Sequence, residues 1–371
     1  MIKSWPLLVR LTFILILLFL VFYAVYIAQG ILIPLGFSLL LAMLLQPIQF
    51  KCMQFRIPRI PAIMIAMLVA TIVLTGVLMF MYYQVSTFVK DFGSVKKNLL
   101  QFFSQVQDWI GTTFNVSKQQ QQKLIEQTKE NSVEKVGAVA GSTLGFIGAS
   151  FASVIVVPVY VFLFMYYSDH LKHFIVNLFD SKHLAKVTSA LHEVRSVIQH
   201  YITGLLLETT CVAVLNSIGL MILGIPFAIL LGVIGAILNL IPYIGGLISV
   251  VLTALITLTN TGDSYKMFGS FIVYLVVQFI DNNFFVPRII GSHVKLNALI
   301  SLIAVLIGGA IAGVGGMFLS IPFIAIAKVI FDHVEDLKPW GTLFGDEENA
   351  GWNLRLTRKK SHTVRANKKD K

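Results

Sequence analysis

Five stretches of thirty or more residues carry no charged side chain at all: 11–50, 60–89, 136–168, 209–262 and 296–327. A helix crossing a bilayer needs about 20 consecutive apolar residues, and a buried helix of a soluble protein is served by roughly 14. Charged residues make up 13% of the chain and hydrophobic ones 56%. A water-soluble domain usually carries about 25% charged residues. Too few polar groups remain to cover a surface facing water, so the apolar surplus must meet lipid.

The remaining composition narrows the class further. Two cysteines, Cys52 and Cys211, are too few for a disulfide framework or a zinc site. The opening Lys3, Arg10 and the apolar run 11–28 resemble a secretory leader, but the run is too long and has no small-residue cleavage site, so it reads as a retained first span. The net charge of +11 comes largely from the tail, where eight Lys or Arg residues between Arg355 and Lys371 face one acid, Asp370. With almost no aromatic residues to stack on bases, this tail reads as a solvated cytoplasmic segment or an anionic-lipid contact, not a nucleic-acid site.

Spans follow from the breaks in the apolar runs. Gly30 and Pro34 interrupt the first run and predict two helices, near 7–28 and 31–49. The following loop holds Lys51, Arg56 and Arg59 and no acid, which places it and the N-terminus on the cytoplasmic side. A third span is expected over about 61–83, completing an N-terminal membrane unit, 1–83. Residues 84–144 read as an amphipathic extracytoplasmic arm, because Phe88, Val89, Phe92, Val95, Leu99, Phe102, Phe103, Val106 and Trp109 recur at helical spacing. A fourth span with a cytoplasmic connector occupies 145–200, with Gly145, Gly148 and Ala152 spaced for close helix contact.

Residues 201–332 differ in kind. After a fifth span near 203–223, the stretch 225–258 is interrupted by Gly232, Gly235, Pro242, Gly245 and Gly246. A further span covers about 265–285, and 296–330 is broken by Gly308, Gly309, Gly313, Gly315, Gly316 and Pro322. Both broken stretches are too long for one upright helix and short for two full crossings. The basic segment around Arg288 and Lys295 and the basic tail, 333–371, both belong to the cytoplasmic side, so the last stretch must enter and return as a hairpin. Discontinuous helices are tolerated at membrane depth only where protein or water surrounds them, and they recur at transporter sites. A faint echo between residues 238–244 and 319–324, each after a glycine pair, would fit an internal repeat or arise by chance.

The expected fold is therefore all-α: a polytopic helical membrane protein of about eight membrane segments, two of them broken or re-entrant hairpins. Its polar candidates are few. Gln278, Asp281, Asn282, Asn283 and Arg288 close an otherwise apolar span. Ionised groups in lipid are costly and often functional there. Asp281 and Arg288 could pair and the amides could bind a polyol or a cation; equally, the set could stop a helix at the interface. Glu208 is a candidate proton carrier or a side chain that snorkels out. Asn216 and Asn239 are mid-span amides, and Asn239, Pro242, Tyr243 and Gly245 mark a helix break whose freed carbonyls could face a ligand. Gly313, Gly316 and Pro322 mark the other break. His170, His173, His192 and His200 lack a third metal ligand, no phosphate loop is present, and no nucleophile meets a base. The sequence calls for no cofactor, no metal and no enzyme activity.

Residues 223–226 (Leu-Gly-Ile-Pro), 241–245 (Ile-Pro-Tyr-Ile-Gly), Asp281-Asn282-Asn283 with Pro287 and Gly291, and Gly313 through Pro322 together resemble the autoinducer-2 exporter family, also called PerM-like permeases. The order and spacing match over about 200–332 and the hydrophobic layout from near residue 7. Gly246 and Ala298 stand where that family often has proline. The resemblance implies a multi-pass, homo-oligomeric protein of the inner (plasma) membrane with both termini cytoplasmic. It also implies either export of the furanone signal autoinducer-2 or Na+(Li+)/H+ antiport. The leading expectation is a secondary transporter that exports a small polar metabolite through 201–332, with the lipid bilayer and a small polar solute or a monovalent cation and proton as partners. A reading of another class is an envelope scaffold that acts through the arm.

Overall fold

The computed structural model describes residues 6–114, 151–240, 245–261, 263–290 and 296–345, and every regular element among them is helical. In chain order these are α1 (Leu7–Gln54), α2 (Arg59–Phe114), α3 (Phe151–Tyr166), α4 (Ser168–Asn177), α5 (Leu184–Ile222), α6 (Ala228–Asn239), α7 (Gly245–Thr261) and α8 (Ser264–Ile280). Helix α8 continues as a π-helical segment (Asp281–Ile290), and α9 (Ala298–His333) and α10 (Lys338–Phe344) complete the fold. Among the described residues, five helices are long and apolar enough to cross a membrane, and three shorter apolar ones accompany them. The all-α, polytopic expectation holds.

Burial is inside out relative to a soluble protein. On α7 the buried positions are Gly245, Ser249, Thr253 and Thr257, while Leu247, Ile248, Val251 and Leu255 are exposed. Along α1, large apolar side chains from Leu8 to Leu32 face outward on all sides. Such a distribution is stable only where the exterior is itself apolar.

The first correction concerns α1. Gly30 and Pro34 do not divide it, and one helix runs from Leu7 to Gln54 with Pro34 and Pro47 inside. Proline removes one backbone donor, but packing can hold a helix through it. Pro34 is buried, and two positions later Gly36 seats Leu319 and Phe323, with 3.1 and 3.2 Å to where a Cβ would stand. Cys52 consequently lies in the last turn of α1, not in a loop. The expected third span and the described part of the arm, 84–114, are likewise one helix, α2, and the fifth span merges with its connector into α5. The rest of the arm from 115, the glycines at 145 and 148, Pro242, Tyr243, Gly291, Lys295 and the tail from 346 lie outside the described residues.

Three packed groups build the body. Leu45, Ile63, Ala66, Val161 and Met165 join α1, α2 and α3. Leu40, Ile198, Ile202, Leu205 and Leu319 join α1 and α9 to α5. Leu220, Ile225, Leu231 and Tyr274 join α5, α6 and α8. The turn from α5 to α6 explains the Leu-Gly-Ile-Pro motif. Gly224 adopts φ 63° while its N–H reaches Met221 O at 2.9 Å and the Ile225 N–H reaches Leu220 O at 3.1 Å. That is the glycine-closed helix end that satisfies the Leu220 and Met221 carbonyls, with Ile225 packed back on Leu220.

Both hairpins are present. The first is α6 and α7: a Cβ on Gly245 would collide with the Leu238 carbonyl, and Ser249 Oγ donates to Gly235 O at 3.3 Å across the pair. The second is α9, which is two arms, because Ala312 and Gly313 are non-helical and Gly313 takes φ 59°, ψ −145°. In a straight helix, positions 308 and 316 would stand about 12 Å apart. Instead a Cβ on either Gly308 or Gly316 would strike the other's backbone. Pro322 makes no break, since the second arm runs through it to His333. The echo segments therefore occupy unlike places: Leu238 lies at the end of α6 and Leu319 within an arm.

Asn297 fastens the open end of the second hairpin. Its Oδ1 accepts from Ile300 N at 2.8 Å and caps the first arm, its Nδ2 donates to Leu343 O at 2.6 Å, and its backbone N–H donates to Phe344 O at 3.0 Å. Helix α10 thus ties the end of the second arm to the start of the first.

Gly313 occupies a backbone region almost reserved for glycine, whereas Gly30 is helical with open space around it. Gly313→Ala should lower unfolding stability in detergent by about 1–3 kcal/mol. Gly30→Ala should be neutral or raise stability by up to about 1 kcal/mol, as read by thermal unfolding. Equal melting temperatures for the two variants would mean the hairpin break is not formed.

Candidate functional site

Three helices bring polar groups together in the apolar interior, one from its middle and two from their ends. Glu208 sits on α5, Asn239 is the last residue of α6, and Asp281 opens the π-helical segment after α8. Glu208 is 5% exposed and Asp281 2%. Asn239 Nδ2 donates to Glu208 Oε1 at 3.4 Å and to Asp281 Oδ2 at 3.1 Å. The two carboxyl groups therefore flank a single amide nitrogen. Two buried carboxyl groups held this close resist ionising together, which favours one proton on the pair. Gln278 Nε2 adds a long contact to Asp281 Oδ2 at 3.5 Å and a better one to Asn282 Oδ1 at 3.2 Å.

Local backbone geometry explains why these residues meet. Gly204 and Glu208 lie four apart, on one face of α5. A Cβ on Gly204 would come within 2.9 Å of the Ile289 carbonyl, so its absence lets α5 close on the π-helical segment. The i→i+5 geometry is rare and collects at functional positions. Here it leaves Asp281 turned inward while Asn282 and Asn283 face outward. Glu208 does not snorkel to an interface. It lies about 20 Å further along α5 than Arg195, whose guanidinium stacks on Phe50 at 4.8 Å.

The structure separates the remaining candidates. Arg288 is exposed and lies over the Phe284 ring at 5.3 Å, with no ion pair to Asp281 among the described residues. Asn283 Nδ2 is occupied by Phe279 O at 2.8 Å in its own helix. Tyr243 and Pro242 fall outside the described residues, while Gly245 begins α7 directly below Asn239. Gly313 and Gly316 belong to the other hairpin. Among the described residues no three of His, Cys, Asp and Glu gather as metal ligands.

A narrow cleft adjoins the acid pair, about 230 Å³ of space partly open to the outside and wide enough for a water-sized occupant. Asn216, Asn239, Gly246, Ser249, Tyr274 and Asp281 line it. Inside it Asn216 Oδ1 and Asp281 Oδ1 are buried and have no partner among the described residues. Sequence reasoning did not single out Ser249, Tyr274 or Gly204. Only the four-residue spacing of Gly204 to Glu208 could have signalled one of them. Gly246, one of the two departures from the family pattern, keeps the cleft open beside Gln278, whose Oε1 lies 3.1 Å from where a Cβ would stand.

The sequence profile of the family described as AI-2E family transporter matches residues 13–336, and the chain belongs to that family. Three relatives named as proposed transport proteins accompany the match. YrrI of Bacillus subtilis (strain 168) is 32% identical over 143 residues, 38% of this chain and 40% of YrrI, so the matched part spans well under half of that relative. YueF of the same organism is 23% identical over 71% of the chain and 70% of its own length. YhhT of Escherichia coli (strain K12) is 24% identical over 82% of the chain and 85% of its own length. The chain is thus a multi-pass membrane protein of a transporter family.

If Asn239 bridges the acids, its removal and that of Asp281 must couple. Asn239→Leu and Asp281→Asn, measured singly and together by unfolding in detergent, should depart from additivity by at least about 0.5 kcal/mol. Strict additivity would mean that the bridge is absent.

Proposed function

We propose that this member of the AI-2E transporter family is a proton-linked secondary transporter whose coupling site is Glu208, Asn239 and Asp281, and that it moves a small polar solute outward across the inner membrane. The observation that carries this reading is two buried carboxyl groups sharing one amide at membrane depth. A pair that favours holding one proton when closed, and can release it when a solute or ion parts the two acids, has the chemistry of exchange. The family's description supports autoinducer-2 as the solute, and its hydroxyls would replace the contacts that Asn239 and Gln278 now make.

A second solute is favoured by the width of the cleft. Carboxylate and amide oxygens are hard ligands, and a water-sized space suits Na+ or Li+ in exchange for protons. In either case we place the face that holds Arg59, Lys186 and Lys338 in the cytoplasm. The Arg59–Asp169 contact (2.6 Å) and the Lys186–Glu335 contact (2.6 Å) gather the ends of α2, α3, α5 and α9 on that face. The outward-facing apolar half of α1 is the surface we assign to contact with further copies of the chain.

The deciding experiment uses proteoliposomes with an imposed pH gradient. Autoinducer-2 efflux should depend on the protein and on the gradient, and Asp281→Asn should cut it by at least about 100-fold with expression and assembly unchanged. Wild-type flux in that variant removes Asp281 from the mechanism. Collapse of the gradient on adding Na+ or Li+, with no autoinducer-2 flux, assigns the exchange to cations.

A further inference from the structure

The acid pair is the end of a longer polar seam. The buried positions of α7 beyond Gly245 are Ser249, Thr253 and Thr257, with exposures of 2%, 1% and 0%. On α8, Ser270 (1%), Tyr274 (6%) and the half-buried Gln278 show the same four-residue step. That spacing puts each set on one face of its helix. The helices are antiparallel, and their register is fixed by Thr253 Oγ1, which donates to Tyr274 Oη at 3.1 Å. A register that sets 253 against 274 sets 249 against 278 and 257 against 270. The close approach of Gln278 Oε1 to Gly246, 3.1 Å from its would-be Cβ, agrees with it. Polar groups therefore face each other from the cleft almost to the far end of the hairpin, while the outer faces carry Leu247, Val251, Phe271 and Leu275.

Tight packing alone would be met by glycine and alanine, and hydrogen-bonded adhesion between helices would direct the hydroxyls across the seam. Thr253 does reach across to Tyr274, but among the described residues neither serine bonds across the α7–α8 seam: Ser249 has its shorter contact to Gly245 O of its own helix at 2.6 Å and a longer one to Gly235 O of α6 at 3.3 Å, and Ser270 donates to Met267 O at 2.7 Å. Their lone pairs stay on the seam. At its lower end, Asn216 Oδ1 and Asp281 Oδ1, on residues only 2% exposed, lack a donor within the described protein. Buried acceptors beside a water-sized polar space call for water or a small cation.

We propose that the α7–α8 seam is a water-admitting path that carries protons between the Glu208–Asp281 pair and the Thr261 end of the hairpin. The role rests on the proton-linked reading of that pair, whereas the wetness of the seam does not. No group on the seam is consumed: a proton arrives on water at one end of the path and leaves from the other.

The test uses the full chain in lipid nanodiscs, with Cys52 and Cys211 replaced by serine and one cysteine placed at a time. Thr253→Cys and Thr257→Cys should react with Ag+ at least about tenfold faster than Val251→Cys, which faces lipid, because a monovalent cation enters hydrocarbon at high cost. Rates equal to that of the lipid-facing site show a dry seam and overturn the proposal. A second arm, the near-isosteric Thr253→Val with Thr257→Val, should slow proton uptake after a pH jump by at least about tenfold. An unchanged rate, in a preparation where Asp281→Asn abolishes uptake, also overturns the path. Wild-type uptake in Asp281→Asn would instead remove the proton reading of the acid pair, and the Ag+ rates would still report whether the seam admits water.

Discussion

A carboxyl group inside a bilayer has to find every hydrogen-bond partner within the protein, and the core of this fold is arranged around that demand. Two such groups, Glu208 and Asp281, share one amide. To meet at all, α5 must approach the π-helical segment at Gly204, α6 must end at Asn239, and α8 must lose its regular winding at Asp281. The last two are local departures from a continuous α-helix, and the first needs a missing side chain. Each puts at the site a polar group that a continuous apolar helix would have left against lipid or a neighbour's side chain.

The membrane class was legible because charge-free length is a property of sequence alone. Both hairpins were legible too: glycines at 308, 313 and 316 and the 239–245 break leave a helix no continuous way through, and for the second the basic residues on either side demand a return. The N-terminal partition misled for a physical reason. Pro34 deletes one hydrogen bond, which is a small loss when Gly36 seats Leu319 and Phe323 against the same face, and no local signal records a tertiary contact nearly three hundred residues away.

The site was half legible. Asp281, Asn239, Glu208 and Gln278 stand out as polar residues in apolar runs, and the structure gathers them. Arg288 and Asn283 stand out equally but face outward, because the π-helical geometry rotates successive side chains in a way that counting residues by an α-helical period does not follow. The hydroxyls of α7 escaped notice for the opposite reason. Ser and Thr are ordinary in membrane helices, and only burial shows that Ser249, Thr253 and Thr257 point away from lipid together.

The clasp at Asn297 bears on how the molecule is assembled. Both ends of α9 are held at one face by bonds to Leu343 and Phe344, and the stretch from 296 to 327 has no charge. Installing this hairpin during biogenesis therefore requires no ionised group to be carried through the bilayer. It can slide in last from the side on which it is made, into a body already formed, with Asn297 and α10 closing behind it as the stopper.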